Sequence, residues 1–216
     1  MLAGLIPAAG LATRLGLAGG AKELVEVGGR PVMDYLVERM RAATDEIVIV
    51  TRREKYDVIQ HSRSLGLRVV EGEPSSVSES LLLGLGGADT VLLGFPDTIW
   101  EPVDGFVRLV EALEDCDVAL GVFESEEPER SDVVALDGDR VEAVDVKPVK
   151  PGSNLIWGCA AARADTLSGL DRHDEPGLLF DEVARSGRAR AVRFAGAMVD
   201  IGTPEALARA RRLLGA

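Results

Sequence analysis

Unbroken apolar runs alternate with segments of helical periodicity through the first half of the chain, and this alternation constrains the fold most. The apolar runs are rich in Val, Ile and Leu, which predicts buried strands over 2–7, 46–51, 67–71, 90–95 and 117–123. Apolar residues at helical spacing predict helices over 31–43, 54–65, 77–85 and 103–114. Continuous apolar strands that alternate with helices are typical of a sheet covered on both faces. We therefore expect an α/β fold with a doubly wound, mostly parallel, Rossmann-like sheet.

The second half changes character. Two β-rich stretches flank the turn at 137–139, and they predict an antiparallel hairpin over 132–146. A strand over 153–162, a helix near 180–185 and a strand over 190–194 follow. Thr203 and Pro204 are good residues for the start of a last helix. The sequence predicts one domain over 1–216, with a small antiparallel insertion that covers the substrate.

Composition and charge exclude several classes of protein. The net charge of −12 argues against a sequence-independent nucleic-acid binder, because such proteins need clustered Lys and Arg. No stretch approaches the roughly 20 apolar residues of a membrane-spanning helix, so no membrane partner is expected. The two cysteines lie in apolar stretches and suggest no disulfide framework, which fits a reducing cytoplasm. The sequence leaves the oligomeric state open, a homo-oligomer included.

The loop after the first strand, PAAGLATRLGLAGGAKEL, combines small residues with the cations Arg14 and Lys22. Small residues let backbone N–H groups approach a phosphate, while Arg and Lys neutralise its charge. The loop contains neither the dinucleotide-binding GxGxxG nor the GKS/T phosphate loop, so neither mechanism applies. By itself the loop fits a phosphate site and an ordinary glycine-rich connection equally well.

Three further charged residues follow strands or precede a helix. Asp97 comes just after the strand 90–95, where ligands of open α/β sheets bind, and its carboxylate suits a hard cation such as Mg²⁺. Asp200 lies shortly before the last helix, and Lys147 follows the hairpin. Each also has a simpler explanation, since an Asp can cap a turn or favour a helix start and an isolated Lys is usually solvated.

The order of these motifs is more informative than any one of them. PAAGLATRL, a lysine shortly afterwards, FPDTIW, KPVKPGSNLIWG and VDIGTPEAL resemble the successive motifs of the sugar-1-phosphate nucleotidylyltransferases, such as glucose-1-phosphate thymidylyltransferase and its uridylyl relatives. The stretch PERSDVVALDGDRVEAVDVKP is similar to the substrate-domain hairpin of that family. The resemblance covers nearly the whole chain.

This resemblance implies a Mg²⁺-dependent transfer of a nucleoside monophosphate from a nucleoside triphosphate to a small phosphorylated acceptor, a sugar 1-phosphate, with release of pyrophosphate and formation of a nucleotide sugar. It implies a nucleotide-binding half over 1–125, an acceptor-binding half over 126–200 and a C-terminal helix over 201–216. The catalytic residues would be Arg14, Lys22 and Asp97, with Asp97 and Asp200 as metal ligands. The acceptor would contact Lys147, Asn154 and Gly158. The nucleotide would contact Ala8, Ala9, Gly10, Leu11, Ala12, Thr13, Arg14, Lys22 and Glu73.

Four positions depart from the family pattern. Ala12 stands where Gly is usual, and Val146 replaces an acid that often binds sugar hydroxyls. Asp132 follows Ser131 where a Tyr-Gly pair is common, and an added carboxylate there argues against glucose 1-phosphate. Glu73 stands where a base-reading Gln would be expected. An ionised Glu only accepts hydrogen bonds, which suits a base that presents an amino group, as cytosine does.

Other functions remain open from the sequence. A cytidylyltransferase acting on phosphocholine or a polyol phosphate would share the first loop and the metal pair. A non-catalytic regulatory protein that binds nucleotide sugars would keep the fold, but it would have less need of two metal carboxylates. An NAD-dependent oxidoreductase is disfavoured, because GxGxxG and an acid after the second strand for the ribose are both absent from the sequence.

Overall fold

The computed structural model describes residues 1–10, 21–196 and 198–213. Over these residues the chain forms thirteen strands: β1 (Leu2–Pro7), β2 (Glu26–Val27), β3 (Arg30–Pro31), β4 (Ile47–Thr51), β5 (Arg68–Glu71), β6 (Thr90–Gly94), β7 (Thr98–Ile99), β8 (Val118–Glu124), β9 (Val133–Asp137), β10 (Arg140–Asp145), β11 (Leu155–Arg163), β12 (Ala189–Arg193) and β13 (Val199–Asp200). The same residues form seven α-helices: α1 (Val32–Arg41), α2 (Tyr56–Ser64), α3 (Val77–Gly84), α4 (Gly105–Ala112), α5 (Ala164–Leu167), α6 (Pro176–Arg185) and α7 (Pro204–Leu213).

Nine of the strands form one mixed sheet in the order β5-β4-β1-β6-β11-β8-β12-β10-β9. The first four strands in this order are parallel, as the apolar runs of the first half predict. β11 is antiparallel to both β6 and β8, and β9 and β10 form the predicted antiparallel hairpin. The α/β class is confirmed, and the sheet contains more antiparallel pairing than the first half of the sequence alone suggests.

Helices pack on both faces of this sheet, because alternate residues of each central strand point to opposite sides. On one face Leu5, Val50 and Leu93 pack with Leu81 of α3 and Phe180 of α6. On the other face the neighbouring strand residues pack with α1, α2 and α4, as in the cluster of Ile6, Ile49, Leu92, Met33, Leu36, Val58 and Phe106. Among the described residues no helix is long and apolar enough to cross a membrane.

Two-residue strands build the edge of the sheet at which β1, β4 and β6 end. β7 follows β6 directly and pairs antiparallel with β13, so that Asp200 stands opposite Thr98. A small separate cluster of apolar residues, which includes Val27, Tyr35, Ile99, Val199 and Ile201, packs around this pair. The pairing therefore brings a segment from the end of the chain against the end of a central strand.

Candidate functional site

The backbone just after β1 lies at the carboxyl end of the parallel strands. Ala8 donates its N–H to the Val50 carbonyl at 2.8 Å, and both Ala8 and Ala9 are buried. Arg52 donates from Nε to the Ala9 carbonyl at 2.8 Å. Of the predicted nucleotide contacts, Ala8, Ala9 and Gly10 are at this edge. The others in this loop, Leu11, Ala12, Thr13 and Arg14, lie outside the described residues.

Lys22 and Asp97 form an ion pair at the same edge. Lys22 begins a short 3-10 turn, Lys22–Leu24, and its ammonium donates to Oδ2 of Asp97, which follows β6 by three residues. Both side chains are largely shielded from solvent, with 26% of Lys22 and 10% of Asp97 exposed. Burial disfavours the charged amine, but the attraction of Asp97, with smaller contributions from Glu23 and Asp200, outweighs it and raises the pKa of Lys22. Lys22 is therefore a permanent positive charge beside two acids.

Asp200 approaches this ion pair through the pairing of β13 with β7. Ile201 donates its N–H to the Asp97 carbonyl at 2.9 Å, and Gly202 donates its N–H to Oδ1 of Asp200 at 2.7 Å. These bonds hold the turn that contains Asp200 against the backbone of Asp97. The two acids are separated by more than a hundred residues in sequence, yet Asp97, just before β7, and Asp200, in the paired strand β13, both lie near Lys22.

The acids at this edge are compatible with a magnesium ion that a substrate also ligates. Within the described ranges, no group of three or more His, Cys, Asp and Glu side chains could hold a metal. Mg²⁺ is usually bound by only one or two carboxylates and completes its octahedron with water and substrate phosphates. The hard oxygen donors of Asp97 and Asp200 fit this pattern.

Glu73 lies just beyond the end of β5. Its side chain is exposed, and the preceding residue, Gly72, donates its N–H to the Thr51 carbonyl at 3.0 Å. Arg52, which contacts Ala9, also donates from Nη2 to the Pro74 carbonyl at 2.8 Å. The segment that carries Glu73 is thereby tied to the start of the first loop.

The residues predicted to contact the acceptor lie around the hairpin and β11. Lys147 adopts a left-handed backbone conformation, with φ of 43°, and its Nζ contacts Oε1 of Glu175 at 2.5 Å. Asn154 is exposed just before β11, and its carbonyl accepts the Ser125 N–H at 2.8 Å. Gly158 is buried at an irregularity of β11, between Trp157 and Cys159, where the pairing register with β8 shifts.

Asp132, which the sequence marks as a departure from the family pattern, is buried close to Lys147. It is 8% exposed, and Oδ2 accepts the indole N–H of Trp157 at 3.1 Å. In the described part of the chain, its other oxygen, Oδ1, has no hydrogen-bond partner. Burial raises the pKa of Asp132, against the Trp157 hydrogen bond and the positive charge of Lys147, and Glu175 adds to the rise. Among the described residues, Oδ1 of Asp132 is therefore a hydrogen-bond acceptor without a donor, close to the predicted binding site of the phosphorylated substrate.

Two buried charges beside the Lys22 turn were not identified from the sequence. Glu23 is fully buried next to Lys22, and Lys55, just before α2, contacts its Oε1 at 2.6 Å. Lys55 occurs in the charged run RREK, at the start of the helix predicted over 54–65. Its side chain is only 12% exposed, because the fold places it against the buried Glu23 and the Ala8 carbonyl.

Comparison with known proteins places the chain in a family. The chain matches the MobA-like NTP transferase domain over residues 4–193. It is 28% identical to a putative mannose-1-phosphate guanyltransferase of Sulfolobus acidocaldarius, with 94% of this chain and 60% of that protein covered. It thus spans about 60% of that relative's length. It is also 30% identical to a molybdenum cofactor guanylyltransferase of Cereibacter sphaeroides, over 99% of this chain and 97% of that protein.

Solved structures show the same fold. A putative glucose-1-phosphate thymidylyltransferase from Bacillus anthracis superposes with a TM-score of 0.88 at 19% identity, covering 99% of this chain and 95% of that one. A UDP-glucose pyrophosphorylase from Acinetobacter baumannii superposes with a TM-score of 0.83 at 17% identity, covering 98% and 92%. The family match, which spans most of the sheet and includes the Lys22–Asp97 pair, identifies the chain as a member of the MobA-like NTP transferase domain family.

Proposed function

We propose that this protein transfers a nucleoside monophosphate from a nucleoside triphosphate to a sugar 1-phosphate, releasing pyrophosphate and forming a nucleotide sugar. The observation that carries the proposal is the meeting of Lys22, Asp97 and Asp200 at the carboxyl edge of the sheet. This edge is where open α/β sheets bind ligands. Family membership and the guanylyltransferase relatives support the reaction class.

The reaction joins two anions, so the site must supply positive charge and alignment. An oxygen of the acceptor phosphate attacks the α-phosphorus of the triphosphate, and the bond from that phosphorus to the pyrophosphate oxygen breaks in line. The attacking oxygen is already ionised near neutral pH, so the step requires no general base. Lys22, held charged by its acidic neighbours, neutralises the phosphates as charge builds up. Arg14 is proposed to do the same from the first loop.

Asp97 and Asp200 are proposed to hold Mg²⁺ together with the phosphates of the triphosphate. When bound, the ion would neutralise charge on the phosphates and help to align them. Lys22 then has two roles, since its ammonium contacts Asp97 and can also contact phosphate oxygens.

The acceptor is proposed to lie between the hairpin and β11. Lys147 would bind its phosphate, because its ammonium is half exposed and its contact in the described part of the chain is an exposed ion pair with Glu175. Asn154 and Gly158 would line the pocket. The free oxygen of Asp132 is an acceptor that could take a hydroxyl or amino group of the sugar.

For the base, an exposed carboxylate at Glu73 favours an edge that donates hydrogen bonds. Cytosine offers an amino group there, and guanine offers both an amino group and a ring N–H. The two relatives described as guanylyl or guanyl transferases favour guanine of the two. GTP is therefore the proposed donor, with CTP as the next choice.

A second candidate function is guanylyl transfer to the molybdenum cofactor. The observation that favours it is the 30% identity to a molybdenum cofactor guanylyltransferase over nearly the whole of both chains. It shares the donor site and the proposed metal pair, so the acceptor alone separates it from the first proposal.

The test is pyrophosphate release from GTP, CTP, UTP, dTTP and ATP with Mg²⁺, each in the presence of sugar 1-phosphates, phosphocholine or the molybdenum cofactor. We expect release with GTP and a sugar 1-phosphate, and we expect D97N to reduce it at least about a hundredfold, the usual scale for removing a key charge from a transition state. D104N, which changes an exposed aspartate before α4, is the matched control and should behave as wild type. Near-normal turnover by a folded D97N would refute the metal assignment, and no release with any pair would refute the function.

A further inference from the structure

One side chain, that of Lys55, contacts both the backbone after β1 and the side chain of Glu23 in the Lys22 turn. The ammonium of Lys55 donates to the Ala8 carbonyl at 2.8 Å and to Oε1 of Glu23 at 2.6 Å. Ala8 precedes that stretch, and Glu23 follows Lys22 directly. Lys55 therefore connects the end of β1 to the turn that carries the proposed phosphate-binding lysine.

Both charges of this contact are shielded from water. Glu23 is fully buried, and the Lys55 side chain is 12% exposed. Within the described ranges, Oε2 of Glu23 has no hydrogen-bond partner, so Lys55 supplies its main compensation. A buried ion pair is weak evidence for stability, because apolar groups of the same size often do as well. Its geometry, by contrast, fixes two backbone segments at defined positions, which apolar groups would do less specifically.

Two residues shortly before Lys55 in the chain, Thr51 and Arg52, also contact the backbone after β1. Thr51 contacts the Ala8 carbonyl with Oγ1 at 3.4 Å, and Arg52 joins the Ala9 and Pro74 carbonyls at 2.8 Å each. The turn after β4 thus contacts the start of the first loop, the Lys22 turn and the segment of Glu73. These are the three parts to which the proposed function assigns the nucleotide.

We infer that Lys55, acting through Ala8 and Glu23, is a positioning residue that holds the nucleotide site in its binding geometry. The inference rests on the proposed function, because it assumes that the triphosphate binds at this edge. Lys55 does not need to touch the nucleotide. By holding Glu23, Lys55 sets the position of the adjacent Lys22, whose ammonium contacts Asp97.

The test uses four variants of the full chain and measures the dissociation constant of each triphosphate with Mg²⁺, without acceptor, by calorimetry. K55M leaves Glu23 buried without its partner, so both the stability and the affinity should fall. The double variant K55M/E23M removes both charges, and it should recover stability to near wild type while its affinity stays at least roughly tenfold weaker, as expected for losing a charged hydrogen bond. K55R keeps the charge and should fall between wild type and K55M. K150M, at an exposed lysine, should bind as wild type.

Kinetics add a readout that a loss of stability would not produce. In the double variant we expect KM for the triphosphate to rise while KM for the acceptor stays unchanged. A stable K55M/E23M that binds nucleotide as wild type does, or in which both KM values rise together, would overturn the inference and leave the proposed function standing. If the wild-type protein binds none of the five triphosphates, the proposed function fails first and the inference fails with it.

Discussion

Glu73 carries the proposed choice of base through one property, since an ionised carboxylate accepts hydrogen bonds and cannot donate them. We expect E73Q to raise kcat/KM for UTP or dTTP relative to GTP by roughly tenfold, because Gln can both donate to and accept from the uracil edge. The measurement is a competition between triphosphates in the pyrophosphate assay. E71Q is the matched control, since Glu71 lies near Glu73 in the chain and its carboxylate forms an exposed ion pair with Arg63. Unchanged selectivity in E73Q would show that the base is read elsewhere.

Single residues also show what the sequence could and could not predict about the site. The motif order predicts that Asp97 and Asp200 serve one site, and the pairing of β7 with β13 places their backbones side by side. No motif in the sequence predicts the role of Lys55. Its ammonium contacts Glu23 and also donates to the backbone carbonyl of Ala8, and a contact with a backbone carbonyl leaves no signal in the sequence. The burial of Asp132 is equally invisible in the sequence, since it follows from packing against Trp157.

At the scale of elements, long apolar strands were predictable and short ones were not. The buried runs became β1, β4, β6 and β8 within a residue or two of their predicted bounds. β7 and β13 contain two residues each, too few to show any periodicity, and their pairing depends on a partner a hundred residues away. The elements that build the candidate site are thus the ones that local patterns detect least.

The irregularity of β11 at Gly158 is predicted to act on the candidate site through Met198. A Cβ at position 158 would come within 1.9 Å of the Met198 Sδ and 3.0 Å of Phe123, and Met198 directly precedes β13. We expect G158A to lower the free energy of unfolding by roughly 1–3 kcal/mol, the usual range for overpacking, and to reduce turnover by displacing Asp200. Urea denaturation and the pyrophosphate assay measure the two effects.

The double variant G158A/M198A separates this steric effect from a direct role of Gly158. Removing the Met198 side chain makes room for the new methyl group, so both stability and turnover should recover toward wild type. G152A is the control, because a Cβ there would meet no atom within 4 Å of the described structure. A double variant no better than G158A alone would show that position 158 acts by another route, such as direct contact with the acceptor.

At the scale of the whole molecule, strands from the two sequence halves interleave in one sheet. β8 ends at Glu124, yet both of its neighbours, β11 and β12, come from later in the chain. β6 likewise pairs with β11. Separating the chain near residue 125 would therefore break three strand pairings, β6 with β11, β11 with β8 and β8 with β12, and expose part of the core on each face. This arrangement supports the prediction of one domain. A measurement of whether the chain unfolds cooperatively tests that prediction.

The two tryptophans of the chain provide that measurement, because they report on opposite faces of the sheet. Trp100 packs with Phe106 at 5.3 Å between ring centroids, and Trp157 packs with Phe180 at 5.1 Å. We expect the fluorescence midpoint in urea to coincide with the far-UV circular dichroism midpoint in W100F, and likewise in W157F, because one sheet supports both cores.

The chemistry of the two indoles also orders the stabilities of the variants. Trp157 donates to Asp132, whereas the indole N–H of Trp100 has no partner in the part of the chain that the structure describes. W157F removes the donor from a buried carboxylate, so it should lower the midpoint more than W100F does. Separate fluorescence and dichroism midpoints within one variant would mean that the faces unfold independently. The interleaved strands would then be insufficient to make the chain a single cooperative unit, and the acceptor side could be lost while the Lys22 edge stayed folded.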